Sequence, residues 1–306
     1  MPAIWCRTEV MQDKTWYKHL LTLPPMAYLL LFFAVPTLIM LFASFRYAGE
    51  YGGLAPWYLR ENGRLALDLT LENWQRLVGT DIYLRLFAKS IGYAVITTLI
   101  CLVMGFPLAL MIARSGRKYR DLLLLLVILP FWSNFLVRIY AWMIIFSPVG
   151  ALTRMLNALL DLVGAGPVTL MYSPTAVIVC LVYVHLPFMV LPLYANLEKH
   201  DLDLLDAAQD LGAGRWRRFW LITWPLSLPG VTTGLILVFI PVLGMFAIPD
   251  LLGGTDGIMI GNVIKQQFME SRDWPFGSVL SMVLTVIAVT VVLLGARIAQ
   301  GRRGRG

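Results

Sequence analysis

Of the 306 residues, 58% are hydrophobic and only 14% are charged, against about 25% charged in an ordinary soluble domain. With a mean hydropathy of +0.73, this composition excludes a disordered chain, a collagen-like chain and a typical cytosolic enzyme. The formal charge of +7 fits the orientation of a membrane protein better than nucleic-acid binding, because the basic residues fall between long apolar runs.

The first run, residues 20–45, has no charge. It is longer than a secretory signal and no small-residue cleavage pattern follows it, so it is expected to remain as the first span. Segment 46–89 is long and polar, starts with Gly49, Gly52, Gly53 and Pro56, and is expected to form a small external cap. Residues 90–113 are uncharged, 122–146 carry only Arg138, 173–197 carry only His185, and 230–249 and 276–296 are again uncharged. Runs of about 20 apolar residues cross the hydrocarbon as helices, whereas barrel strands would alternate. The expectation is one all-α, polytopic domain over 1–306 with six transmembrane helices.

Orientation follows from Lys and Arg. With both termini cytoplasmic, the inner segments 1–19, 114–121, 198–229 and 297–306 hold 15 of the 25 Lys and Arg residues. Six of the other ten lie in the long 46–89 segment, where the rule is weaker. Arg302, Arg303 and Arg305 in the tail read as a topology signal beside anionic lipid. Proline lies within five of the six spans, at Pro36, Pro107, Pro130, Pro187 with Pro192, and Pro241. Each lacks an N–H and can kink its helix, which suits a moving pathway but also occurs in static bundles. Gly105 and Gly244 are placed to let helices approach closely. Cys6, Cys101 and Cys180 are too few for a disulfide scaffold and are read as free thiols.

Catalytic patterns are missing. There is no G-x-x-x-x-G-K-[ST], no H-E-x-x-H and no G-x-S-x-G; His19, His185 and His200 are dispersed, and no span carries paired acids. No catalytic residue, metal or bound cofactor is expected on this chain, so energy for transport has to come from another one.

The loop at 198–229 is the most informative segment. Asp201 or Asp203 can cap a short helix that Gly212 ends. On it Leu204, Ala207, Ala208 and Leu211 share one face, and Asp203, Asp206 and Asp210 another. The alanines leave a flat patch on which a second protein can pack; the alternative is an ordinary interfacial loop. Arg215, Arg217 and Arg218 are placed to offset Asp210, which sits at the wrong end for the helix dipole.

The run Asp206-Ala207-Ala208, then Gly212, then nine residues to Ile222-Thr223-Trp224-Pro225, resembles the EAA loop of ABC-importer permeases, E-A-A-x-x-x-G followed by I-x-L-P. Asp206 stands for Glu and Trp224 for Leu. The resemblance implies a coupling helix seated in a cleft of an ATP-binding subunit, with that role carried by Asp206, Ala207, Ala208 and Gly212. Residues 124–142, 181–197 and 250–278 further resemble spermidine/putrescine importer permeases of the first-permease type. What this implies is a type I permease subunit in the bacterial inner membrane that imports polyamines by alternating access. The implied partners are an ATP-binding subunit dimer that holds ATP and Mg, a second related permease, an external substrate-binding protein and membrane lipid; no nucleic acid is implied. The rivals are the same machine with another organic ion, a channel or self-sufficient carrier, and an intramembrane enzyme.

A route for a polycation needs carboxylates and aromatic faces. Phe239, Leu243, Phe246 and Asp250 recur at helical spacing on the fifth span and would form a stripe ending in a carboxylate at the external mouth. The alternative is that the rings pack and Asp250 is a solvated end residue. Asp256, Glu270 and Asp273 would add negative potential there, or are plain exposed loop charge. On the third span Phe131, Phe135, Arg138 and Trp142 form a second stripe. A continuous helix would put Arg138 about 25 Å beyond Asp121, near the outer interface, in a structural role. Trp132 and Tyr140, off that stripe, complete the pathway candidates. His185, mid-span, is expected to make an interhelical hydrogen bond, with a pH-sensitive gate as the alternative.

Overall fold

A computed structural model describes residues 15–56, 58–61, 64–164 and 166–300. Cys6, most of the inner segment 1–19 and the tail arginines lie outside the described residues.

Among the described residues six helices are long and apolar enough to cross a membrane: Leu21–Ala43, Asp81–Arg114, Phe135–Leu162, Pro174–Leu197, Arg215–Leu243 and Trp274–Arg297. The first span joins α1 (Thr15–Leu29) to α2 (Val35–Ala43) through a π turn, Leu30–Ala34. That turn ends two residues before Pro36, and a second π turn, Phe219–Thr223, ends two residues before Pro225. A proline leaves one carbonyl of the preceding turn without its usual donor, and a widened turn accommodates the mismatch.

Segment 46–89 folds as a cap on one end of the bundle. It holds a hairpin of β1 (Tyr58–Glu61) and β2 (Arg64–Leu67), paired antiparallel with Tyr58 opposite Leu67, and then α3 (Glu72–Gly79). Three ties fix it. Asn73 donates to the Arg46 carbonyl at 2.8 Å, the Gly53 amide donates to the Arg272 carbonyl at 2.7 Å, and Arg76 pairs with Asp273 at 2.8 Å while its guanidinium lies 4.1 Å from the Phe276 ring centre.

The core is built on α4 (Asp81–Arg114), α8 (Pro174–Leu197) and α11 (Trp224–Leu243). Small residues let these three meet around Met189. A methyl group on Gly105 would lie 3.1 Å from Met189, and one on Gly234 would lie 2.6 Å from its sulfur. Close approach was expected at Gly105 and Gly244. Gly105 makes it, but Gly244 instead terminates α11, and a methyl there would stand an ordinary 3.7 Å from Leu284. Cys101 and Cys180 are buried free thiols in this core.

Two spans depart from their expected limits. The third is not one helix over 122–146. That stretch passes through α5 (Arg117–Ile128) and a 3-10 turn at Leu129–Trp132, and the crossing itself falls later, on α6 (Phe135–Phe146) and α7 (Ala151–Leu162). Pro130 cannot continue the ladder, and Asn134 restarts it by accepting from the Leu136 amide at 2.8 Å. The fifth helix ends at Leu243 rather than at 249; α12 (Ala247–Leu252), α13 (Ile260–Met269) and α14 (Trp274–Gln300) follow. Between α8 and α11 lie α9 (Asp203–Asp210) and α10 (Arg215–Arg218).

Candidate functional site

The loop helix forms where it was expected, and its closure is specific. The Asp203 amide donates to Asp201 Oδ1 at 3.0 Å, so Asp201 supplies a side-chain acceptor just ahead of α9, whose N-cap is Leu202, and Asp203 belongs to the first turn. At the other end the Gly212 amide donates to the Gln209 carbonyl at 2.8 Å and the Ala213 amide to the Ala208 carbonyl at 2.9 Å, the paired closure of a Schellman motif. Gly212 has φ +79°, a backbone state that costs other L-residues about 1–2 kcal/mol. A methyl group there would meet nothing within 4 Å, so the glycine serves the backbone and not a close contact.

The expected apolar face divides. Leu204, Ala207 and Leu211 are open, Leu211 at 89% exposure, while Leu205 and Ala208 turn half-buried toward the bundle. Asp206 is exposed yet lines a cavity of about 540 Å³ under the bundle, together with Arg114, Arg218 and Ile222. Of the three arginines expected to offset Asp210, none pairs with it among the described residues. Arg218 acts otherwise, donating to Gln209 Oε1 at 2.7 Å and to the Leu205 carbonyl at 3.4 Å. It thereby ties α10 to the flank of α9. Arg120 on α5 pairs with Glu198 at 2.7 Å and anchors the start of the loop. Trp224, the residue departing from the loop pattern, packs on Phe106, Phe219 and Trp220 with ring centres 5.6, 6.3 and 5.7 Å away.

At the other end of α11 the expected stripe of Phe239, Leu243, Phe246 and Asp250 does not form. The helix stops at Leu243, and α12 begins a new one at Ala247. Leu243 is buried, Phe239 is half-buried in the core, and Phe246 is exposed. Asp250 is not a free carboxylate. Its Oδ2 accepts from Lys265 Nζ at 2.6 Å and its Oδ1 from Asn262 Nδ2, which also donates to the Phe246 carbonyl at 2.9 Å. Asn262 Oδ1 in turn accepts from the Met259 amide at 2.9 Å and caps α13. The Asp250 carboxylate raises the Lys265 pKa above its ordinary 10.5, through the hydrogen bond and then its charge. The pair is therefore fully formed below pH 10.5 and is lost as pH rises through the raised value. Of the neighbouring acids, Asp273 is taken by Arg76, while Asp256 and Glu270 are exposed.

Around α6, the break at Pro130 removes the helical ruler that placed Arg138. Its guanidinium carbon lies 5.2 Å from the Phe131 ring centre and 5.8 Å from that of Phe135, and its buried Nε has no hydrogen-bond partner among the described residues. Trp132 and Tyr140 are open, at 75% and 50% exposure. His185 is buried, but its bond stays within its own helix: Nδ1 lies 2.8 Å from the Leu181 carbonyl. Sequence reading missed Lys265 and Asn262, and it gave Arg218 a different partner. Neither the cap that Asn262 makes at Met259 nor the partnership of Asp250 with Lys265 carried a sequence signal.

The chain matches, over residues 105–303, the model of the family described as binding-protein-dependent transport system inner membrane component. It is 39% identical over 285 residues to the spermidine/putrescine transport system permease protein PotB of Salmonella typhimurium (strain SL1344), covering 93% of this chain and 94% of that one. It is 45% identical over 225 residues to the PotB of Escherichia coli (strain K12), covering 74% and 81%. The fold matches a chain in the crystal structure of a bacterial ABC transporter involved in the import of the acidic polysaccharide alginate. That match has a TM-score of 0.69 and 18% identity, and covers 93% of this chain and 95% of that one.

Proposed function

The chain belongs to the family of inner membrane components of binding-protein-dependent transport systems, and from that premise we propose that it is the permease subunit that brings polyamines into the cell. It is a multi-pass inner membrane protein and not an enzyme. The observation that carries the cargo assignment is its identity of 39% over nearly the whole length of one spermidine/putrescine permease and 45% over most of another.

In this reading both termini are cytoplasmic and α9 faces the cytoplasm. ATP and Mg are held by a dimer of ATP-binding subunits, whose closure pushes on α9 through Leu204, Ala207 and Leu211. The Schellman closure at Gly212 and the grip of Arg218 make α9 a firm lever, and the bundle responds by exposing its pathway to the outside. A second related permease completes that pathway, and an external binding protein delivers substrate to it. The pairing of Asp250 with Lys265 gives the rival cargo, another organic ion, its support, because it withdraws the one carboxylate that the expected stripe offered to a polycation.

Uptake separates these readings. Cells lacking this chain and any redundant polyamine system should lose uptake of labelled spermidine and putrescine, and regain it when the chain is restored. Unchanged uptake on deletion would remove polyamines as the cargo while leaving the family assignment intact.

A further inference from the structure

The fifth span is entered through Arg215-Trp216-Arg217-Arg218-Phe219-Trp220, a run that intermixes guanidinium groups and large rings. Arg215 and Arg218 line a pocket of about 260 Å³ with Arg114, the last residue of α4, over a floor of Leu110, Leu205 and Phe219. No carboxylate lines it among the described residues. The side chains of Arg114 and Arg215 make no ion pair or hydrogen bond among those residues, and Arg218 donates only to the uncharged acceptors on α9. The larger cavity next to it does carry Glu198, Asp201 and Asp206. Arg114 and Arg218 also line that cavity, but none of its acids pairs with an arginine of the small pocket among the described residues: Glu198 is paired with Arg120, and Asp201 and Asp206 make no salt bridge. Three like charges around one small pocket without a counter-ion attract an anion.

Depth decides which anion. The pocket sits where α4 ends and where the π turn opens the fifth span, at the boundary of the apolar runs. Trp216 and Trp220 stand open beside it, at 75% and 54% exposure, and indole rings favour the headgroup layer. A soluble phosphate has no use for the apolar floor or the open indoles, whereas a phosphate that carries acyl chains uses both. We propose that Arg114, Arg215 and Arg218 form a site for the phosphodiester headgroup of an anionic lipid of the adjoining leaflet. Bound there, the lipid links the end of α4 to the base of α9.

Native mass spectrometry of the full chain in neutral detergent tests this, with dioctanoyl phosphatidylglycerol, dioctanoyl phosphatidylcholine and inorganic phosphate as probes. Phosphatidylglycerol should bind about tenfold tighter than phosphatidylcholine, inorganic phosphate should not displace it, and Arg114→Gln with Arg215→Gln should erase the preference. The matching double substitution to Lys should keep it, which separates lost charge from lost fold. Equal affinity for the two lipids, or a preference that survives the Gln pair, would overturn the site. Displacement by inorganic phosphate would assign it to a soluble anion instead. A Gln pair that keeps the lipid preference but no longer co-purifies with the ATP-binding subunit would assign these arginines to a protein interface, again overturning the proposal.

Discussion

The two ends of α11 are held in order by different means. Before its start, α9 is closed by bonds between near neighbours: Asp201 to Asp203 at one end, and Gly212 to Gln209 and Ala213 to Ala208 at the other. Beyond its end, Asp250 is held by Asn262 and Lys265 from another helix, 12 and 15 residues on. The first arrangement can be read along the chain because helix caps are local chemistry. The second exists only once α12 and α13 have packed. One end therefore carries a self-closed helix that leaves Leu204, Ala207 and Leu211 exposed, and at the other end the charge of Asp250 is already paired.

The largest expected effect tests the local end. Gly212→Asp forces a side chain onto φ +79° and adds negative charge at the carbonyl end of α9. Transport should fall to background while the chain still inserts, since a side chain there meets nothing. Gly212→Asn should keep most of the activity because Asn tolerates that backbone state as Asp does and adds no charge; equal loss in both would move the cause from the charge to the presence of a side chain. Next comes the grip on α9. Arg218→Met removes the donor to Gln209 and Leu205, and substrate-stimulated ATP hydrolysis by the whole complex should drop several-fold; an unchanged rate would show that α9 holds itself.

The distant end responds less. Asp250→Asn should raise the KM for spermidine uptake several-fold if substrate reaches this carboxylate, and Lys265→Met, which frees it, should lower the KM. If neither variant moves KM, Asp250 leaves the pathway and the pair becomes plain scaffold. The smallest effect belongs to Arg120→Gln, which opens a partly exposed ion pair to Glu198; such pairs are worth about 0–1 kcal/mol, so uptake should change by less than about fivefold.

The same contrast explains what could be read in advance. Span existence follows from apolar run length, and all six appear. Where spans break does not follow, because a proline can kink or end a helix: Pro107 stays inside α4, whereas the 3-10 turn at Pro130 separates α5 from α6. Gly234 and Gly244 look alike in sequence, and only the position of Met189 makes the first a contact and leaves the second a stop. His185 satisfied itself within its own helix, as a carbonyl four residues back was already in reach. The short loop helix and its glycine stop at Gly212 were legible, and the pathway candidates Trp132, Tyr140 and Phe239 were legible only as aromatic residues.

The most direct measurement is spermidine-driven ATP hydrolysis and uptake together, in proteoliposomes holding the complete transporter, wild type beside Gly212→Asp. If α9 transmits the motion of the ATP-binding subunits, both activities are present in the wild type and both are lost in the variant at equal amounts of inserted chain. Wild-type uptake by Gly212→Asp would contradict that role.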